Sequence, residues 1–127
     1  MEAYLTDHTG KPVFNSWDIK TTTCAYSSAT TTEIDIGQWQ YIAVKMPATF
    51  DGFPTIAFLG ATISGGPFSH IYLPGGEECK QFATYNSWAV VGPASLMPFR
   101  YIEIQFGATG QVSATQSVAK TLYIAGK

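Results

Sequence analysis

Glycine and proline punctuate this chain frequently, and the stretches between them are built from residues that favour strand over helix. The 127 residues include 12 Gly and 7 Pro, and the segments they bound are short and rich in Val, Ile, Thr, Tyr and Phe. Gly loses the most conformational freedom when fixed in an element, and Pro brings no N–H to a ladder, so both collect at turns. β-Branched and aromatic residues between such breaks read as strands. The pattern predicts eight: Ser16 to Thr23, Ala29 to Ile36, Tyr41 to Met46, Thr55 to Ile63, Phe68 to Tyr72, Gln81 to Val91, Phe99 to Phe106 and Val118 to Ala125. Strands at this spacing fold as an all-β, antiparallel β-sandwich of jelly-roll or Greek-key type. One such domain suits a chain of this length, and it is expected to span residues 16–127. Residues 1–15 lack sustained alternation and are expected to form an irregular N-terminal arm that orders against a neighbour.

Period-two alternation assigns the faces. In "FRYIEIQFG" (99–107), Ile102, Ile104 and Phe106 take one side. Tyr101, Glu103 and Gln105 take the other and are expected to meet solvent or a sister subunit. Ile34 and Ile36 oppose Glu33 and Asp35, Ile42, Val44 and Met46 oppose Tyr41 and Lys45, and Leu122 and Ile124 complete the apolar set. Burying a large apolar side chain contributes about 1.5–3 kcal/mol, so a dozen of them offset a good part of the ordering entropy. Turns are expected at Asp51-Gly52 in "FDGFP", at Gly65-Gly66-Pro67 and in "LPGGEE" (73–78). The segment "VVGPASLMPF" (90–99) reads as a longer connection between sheets.

Only 13% of the residues are charged, against roughly 25% in an average soluble domain. Interface cores are depleted in charge and enriched in aromatics, which make up 14% of this chain. The deficit points either to a surface covered by partners or to one made polar by Ser and Thr. A formal net charge of -2 offers no basic patch for phosphates, so no direct nucleic-acid binding is expected. No apolar run approaches the roughly 20 residues of a membrane span, and the start, "MEAYLTDHTGK", lacks the segments of a signal peptide. Synthesis in a cytoplasm, with no membrane partner, is expected. Cys24 and Cys79 belong to no CxxC or His-containing cluster and read as buried free thiols instead of a disulfide.

His8 and His70 are the only histidines. Neither has the partner at defined spacing that a metal ligand or a catalytic base needs, so surface or hydrogen-bonded roles are expected. Glu33 with Asp35, and Glu77 with Glu78, offer too few oxygens for calcium and read as solvated or salt-bridged. No GxSxG, P-loop or GxGxxG-plus-helix pattern occurs. The expectation is therefore no enzyme activity, no metal and no cofactor. The rival signal is aromatic: Trp17, Trp39 and Trp88 with Tyr41, Tyr85 and Tyr101 would suit stacking on sugar rings, although such residues also serve as core ballast and interface anchors.

Three stretches carry a resemblance: "IGQWQYIAVKMPATFDGFPTIAFLGA" (36–61), "PFRYIEIQFG" (98–107) and "QSVAKTLYIAGK" (116–127). Together they resemble small β-sandwich structural proteins of tailed-phage virions, over about residues 34–127. The first 33 residues have no counterpart there, and the middle, "SGGPFSHIYLPGGEECKQF", is shorter and less polar. The resemblance implies a virion structural protein, in particular a capsid decoration (cement) protein on the outer surface of the head. Such a protein works as a homotrimer that bridges neighbouring subunits of the major capsid protein. The alternative is a receptor- or carbohydrate-binding domain of a collar, fibre or tail protein. On the first reading the contact residues are Tyr4, His8 and Phe14 in the arm, with Trp39, Phe53 and Phe68 beside turns, where an exposed aromatic anchors a partner.

Overall fold

The computed structural model describes residues 18–37, 39, 41–52, 54–91, 99–107 and 115–127. The expected arm and the first residues of the first predicted strand lie outside the described residues. Among those described there are nine strands and no helix: β1 (Asp18–Cys24), β2 (Ile34–Asp35), β3 (Ile42–Lys45), β4 (Thr55–Ala61), β5 (Ser69–His70), β6 (Lys80–Phe82), β7 (Trp88–Val91), β8 (Tyr101–Phe106) and β9 (Lys120–Gly126). Strands β1, β9, β3 and β7 form one antiparallel sheet in that order. The second sheet runs β2, β8, β4, with β5 and β6 sharing the far side of β4. Counting β5 and β6 as one interrupted strand, this is the eight-stranded jelly roll, in which nearly every connection crosses from one sheet to the other. The two inner faces close on one core, where Val44, Leu122 and Ile124 meet Ile56, Phe58, Ile102, Ile104 and Phe106.

One predicted strand proves composite, and another is interrupted. The stretch Gln81 to Val91, read as a single strand, is two strands in different sheets: β6 pairs with β4 and β7 with β3. Between them Asn86 adopts φ 54, its N–H donates to Pro47 O at 2.9 Å, and the Ser87 hydroxyl donates to Thr84 O at 2.7 Å. Ala83, Ala89 and Val91 are all buried and all odd-numbered, so the buried positions keep one parity on both sides of this corner and hide it. The predicted strand Ala29 to Ile36 does run along β8, but it slips. Thr30 bridges Gln105 whereas Ile34 pairs with Ile102, so five residues oppose four and one bulges out. At the slip the buried Thr31 accepts the Ile104 N–H on its hydroxyl at 3.0 Å.

The edge formed by β5 and β6 contains an excursion. His70 pairs with Leu59 and Lys80 with Ala57, ten positions along the chain against two along β4, which leaves eight residues to loop out. They form a small hairpin: Leu73 N–H donates to Glu77 O at 2.7 Å and Cys79 N–H to Ile71 O at 2.7 Å. Its turn falls in "LPGGEE" as predicted, with Gly76 at φ 88, a conformation that disfavours a side chain.

Candidate interaction surfaces

The outward face of the β1-β9-β3-β7 sheet is nearly free of charge. Register sets Ile19, Ala125, Ala43 and Val90 side by side across four strands, and Thr21, Tyr123, Lys45 and Trp88 in the next row. Ile19 is 65% and Val90 66% exposed, and Tyr123 and Trp88 are about half exposed. Lys45 is the one charged side chain in these rows, and it is already engaged. Its Nζ donates to Asn86 O at 3.1 Å and lies 6.0 Å from the centroid of the Trp88 ring. Ala43 is half-buried and Ala125 buried, so the row is apolar across all four strands, with Ile19 and Val90 exposed at its two ends.

The opposite face is charged, and most of its charged groups meet partners within the chain. Asp35 binds Arg100 through Nε at 3.3 Å and Nη2 at 3.2 Å, and its Oδ1 also accepts the Gly37 N–H at 2.8 Å. The Arg100 hydrogen bonds hold the Asp35 carboxyl below the usual carboxylate range. Glu33 accepts the Gly65 N–H and the Ser64 hydroxyl, each at 2.7 Å, and so pins the turn after β4. Glu103 is pushed up by burial and by the neighbouring Glu33 charge. His70 Nε2 lies 3.0 Å from Gln105 Oε1 and 3.8 Å from Glu78 Oε2, and Gln105 Nε2 donates to Gly107 O at 3.1 Å. The Arg100 guanidinium sits 5.3 Å over the Tyr101 ring. Tyr101 and Gln105 of the outward trio thus meet partners within their own chain, and all three residues are half-buried. Among the described residues no group of three or more His, Cys, Asp or Glu side chains is arranged to hold a metal ion.

Of the six expected contact residues, Tyr4, His8, Phe14 and Phe53 lie outside the described residues. Trp39 is half-buried at one end of the sandwich, packed against the core. Its ring occupies the space over Gly126, where a Cβ would come within 1.8 Å of Trp39 Cε3. Lys20 covers it, Nζ 5.0 Å from the ring centroid, while donating to Asp35 O. Phe68 is half-buried and folded against the turn at Gly66, where a Cβ would stand 2.9 Å from Phe68 Cδ2. Neither belongs to the apolar row. The members of that row were not singled out from the sequence, although a signal existed: "WAVV" is apolar on both sides, with Val90 opposite the buried Ala89 and Val91, and in "DIKTTTC" Ile19 falls on the face away from the buried Thr22 and Cys24.

The expected aromatic set is dispersed. Trp39 faces inward, Tyr41 and Trp88 lie on one sheet, Tyr101 lies on the other, and Tyr85 stands edge-on to Phe50 at 4.8 Å in the corner between β6 and β7. Trp17 is outside the described residues. Cys24 and Cys79 are free and buried, as expected, and burial pushes both thiols up.

No protein-family model matches the chain, and no curated protein matches it. Among solved structures, the crystal structure of SPBc2 prophage-derived protein YomS is similar, with a TM-score of 0.50 at 10% sequence identity, covering 90% of this chain and 96% of that one. At that identity the likeness is one of fold.

Proposed function

We propose that this chain is a phage virion structural protein, a capsid decoration protein that binds the assembled head shell and bridges neighbouring major capsid subunits. The observation that carries the reading is the charge-poor outward face of the β1-β9-β3-β7 sheet, with Ile19, Val90, Tyr123 and Trp88 exposed on it. Two further observations support it: the resemblance of residues 34–127 to virion β-sandwich proteins, and the fold held in common with a prophage-derived protein. Cementing needs no reactive group. A protein that binds the lattice and not its dissociated subunits shifts the balance toward the intact shell by mass action. Copies joined as a homotrimer add weak contacts through effective concentration. The site of action is the outer surface of the capsid, with the arm residues Tyr4, His8 and Phe14 as further contacts.

The test is to add the purified chain to heads lacking decoration and follow their thermal disruption by calorimetry. The expected outcome is saturable binding and a higher melting temperature, both lost with Ile19→Asp, which puts a charge in the apolar row. Heads that neither bind the protein nor change their melting sink the proposal.

A further inference from the structure

The sandwich presents four strand edges, and an edge strand's unpaired N–H and C=O groups are a template for another strand. Three of the four are guarded. β2 is two residues long and is followed by Gly37 at φ 54. The β5/β6 edge is broken by the hairpin looping out between His70 and Lys80. On β1, Thr23 O already accepts the Thr32 N–H at 3.0 Å, which leaves Ile19 and Thr21 to offer the outward groups. A twofold pairing through those two centres on Lys20 and sets it against Lys20 of the other copy, an unfavourable like-charge pair.

The fourth edge, β7, has the sequence Trp-Ala-Val-Val, with no charge, proline or glycine. Met46 N–H donates to Ser87 O at 2.9 Å. Bonding alternates along an antiparallel ladder, so Ala89 and Val91 turn their main-chain groups toward β3, while Trp88 and Val90 turn theirs outward. Among the described residues these outward groups have no partner. We infer that β7 pairs antiparallel with β7 of a second copy across a twofold axis centred on Ala89. That register sets Trp88 opposite Val90 of the second copy, and the reverse, giving four main-chain hydrogen bonds. It places an aromatic beside a β-branched side chain on the outward face, small Ala89 beside Ala89 on the inner face, and no like charges together. The row Ile19, Ala125, Ala43, Val90 then continues into Trp88 of the second copy, and two four-stranded sheets become one of eight. A four-residue edge falls well short of the roughly 1,200–2,000 Å² of a stable interface, so this dimer belongs to the weak, concentration-dependent class. The pairing does not rest on the shell reading. Being isologous, it closes at two copies and is distinct from any threefold contact.

Sedimentation equilibrium of the full chain, from micromolar to millimolar concentration, tests it. The wild type is expected to move from one to two chain masses. Val90→Pro removes an N–H that points away from β3, as edge strands tolerate, and is expected to abolish the dimer. Val90→Lys, which leaves the backbone intact, is expected to do the same and covers the case in which the proline variant unfolds. Thr21→Pro makes the equivalent deletion on β1 and is expected to leave the dimer unchanged. A chain that stays monomeric at millimolar concentration, assembles only as a trimer, or dimerises despite a folded Val90→Lys overturns the inference.

Discussion

Replacing Thr31 with Val asks whether one hydroxyl holds the bulge beside β8. Thr31 is 3% exposed, and its Oγ1 accepts the Ile104 N–H at 3.0 Å where the register slips by one residue. Thr31 N–H still donates to Ile104 O at 2.8 Å, so only half of the normal two-bond exchange is made by the main chain, and the side chain supplies the other half. Val keeps the shape and the β-branch but removes the acceptor. A buried N–H left unpaired costs about 1–3 kcal/mol, and the extra methyl recovers at most about 0.8 kcal/mol. The net loss is on the order of 1–2 kcal/mol, a fall in melting temperature of roughly 3–10 °C for a domain of this size. Urea denaturation gives the stability change, and amide exchange by NMR gives its location. Ile104 is expected to exchange faster in Thr31→Val and to keep its protection in Thr31→Ser. A Val variant as stable as wild type, with the Ile104 amide still protected, refutes the assignment.

Two further outcomes follow from packing and charge. Gly126 is fixed between Asp18 and Ile42 by ladders on both sides, and a Cβ there would meet the Trp39 ring at 1.8 Å, so Gly126→Ala must expel the ring. A loss of about 1–3 kcal/mol, with Trp39 emission shifted to longer wavelength in a variant where it is the sole tryptophan, is the expected result; unchanged emission and stability contradict the close packing. Glu103 has a folded pKa raised by burial and by Glu33, so its contribution is most favourable below its unfolded value and is lost as pH rises through the folded one. Glu103→Gln is therefore expected to be more stable than wild type at neutral pH, with the gain vanishing in acid once both forms of the protein carry an uncharged group. A difference that persists below the ordinary glutamate range would show that charge is not the cause.

Strands with one apolar face were legible because burial and the two-residue period say the same thing. Along β8, Ile102, Ile104 and Phe106 are buried and their neighbours are not. Three features escaped for physical reasons. The corner at Asn86 preserves the parity of buried residues, so no periodicity test can see it. The bulge at Thr31 lies within Thr30-Thr31-Thr32, three identical residues whose buried member the sequence cannot single out. Gln116 is a polar residue buried at 1% exposure, and it acts as a surrogate strand for the loop after Phe50. Its Oε1 accepts the Asp51 N–H at 2.9 Å and its Nε2 donates to Asp51 O at 3.0 Å, while the Asp51 carboxylate accepts Ser117 N–H at 2.7 Å and the Ser117 hydroxyl at 2.8 Å. These contacts join residues 65 and 66 positions apart, a separation at which local pattern carries no information.

The charge deficit of the composition left two readings open, and the fold distributes them unequally between its two faces. On the β2-β8-β4 side a partner would have to dehydrate the Asp35–Arg100 pair, the Glu33 carboxylate that pins a turn, and a Glu103 already raised by its neighbour. Removing water from charges is expensive unless the incoming surface supplies matching groups. On the β1-β9-β3-β7 side the same approach displaces water from Ile19, Val90, Tyr123 and Trp88, worth roughly 25 cal/mol per Å² of apolar area, and within these rows must desolvate only Lys45, which Asn86 O and the Trp88 ring already hold. Thr21, Thr23 and Thr121 border that surface and give it hydroxyls without adding charges that a partner would have to pair. The difference in desolvation cost between the faces, more than any single contact, makes the β1-β9-β3-β7 side the cheaper one to cover.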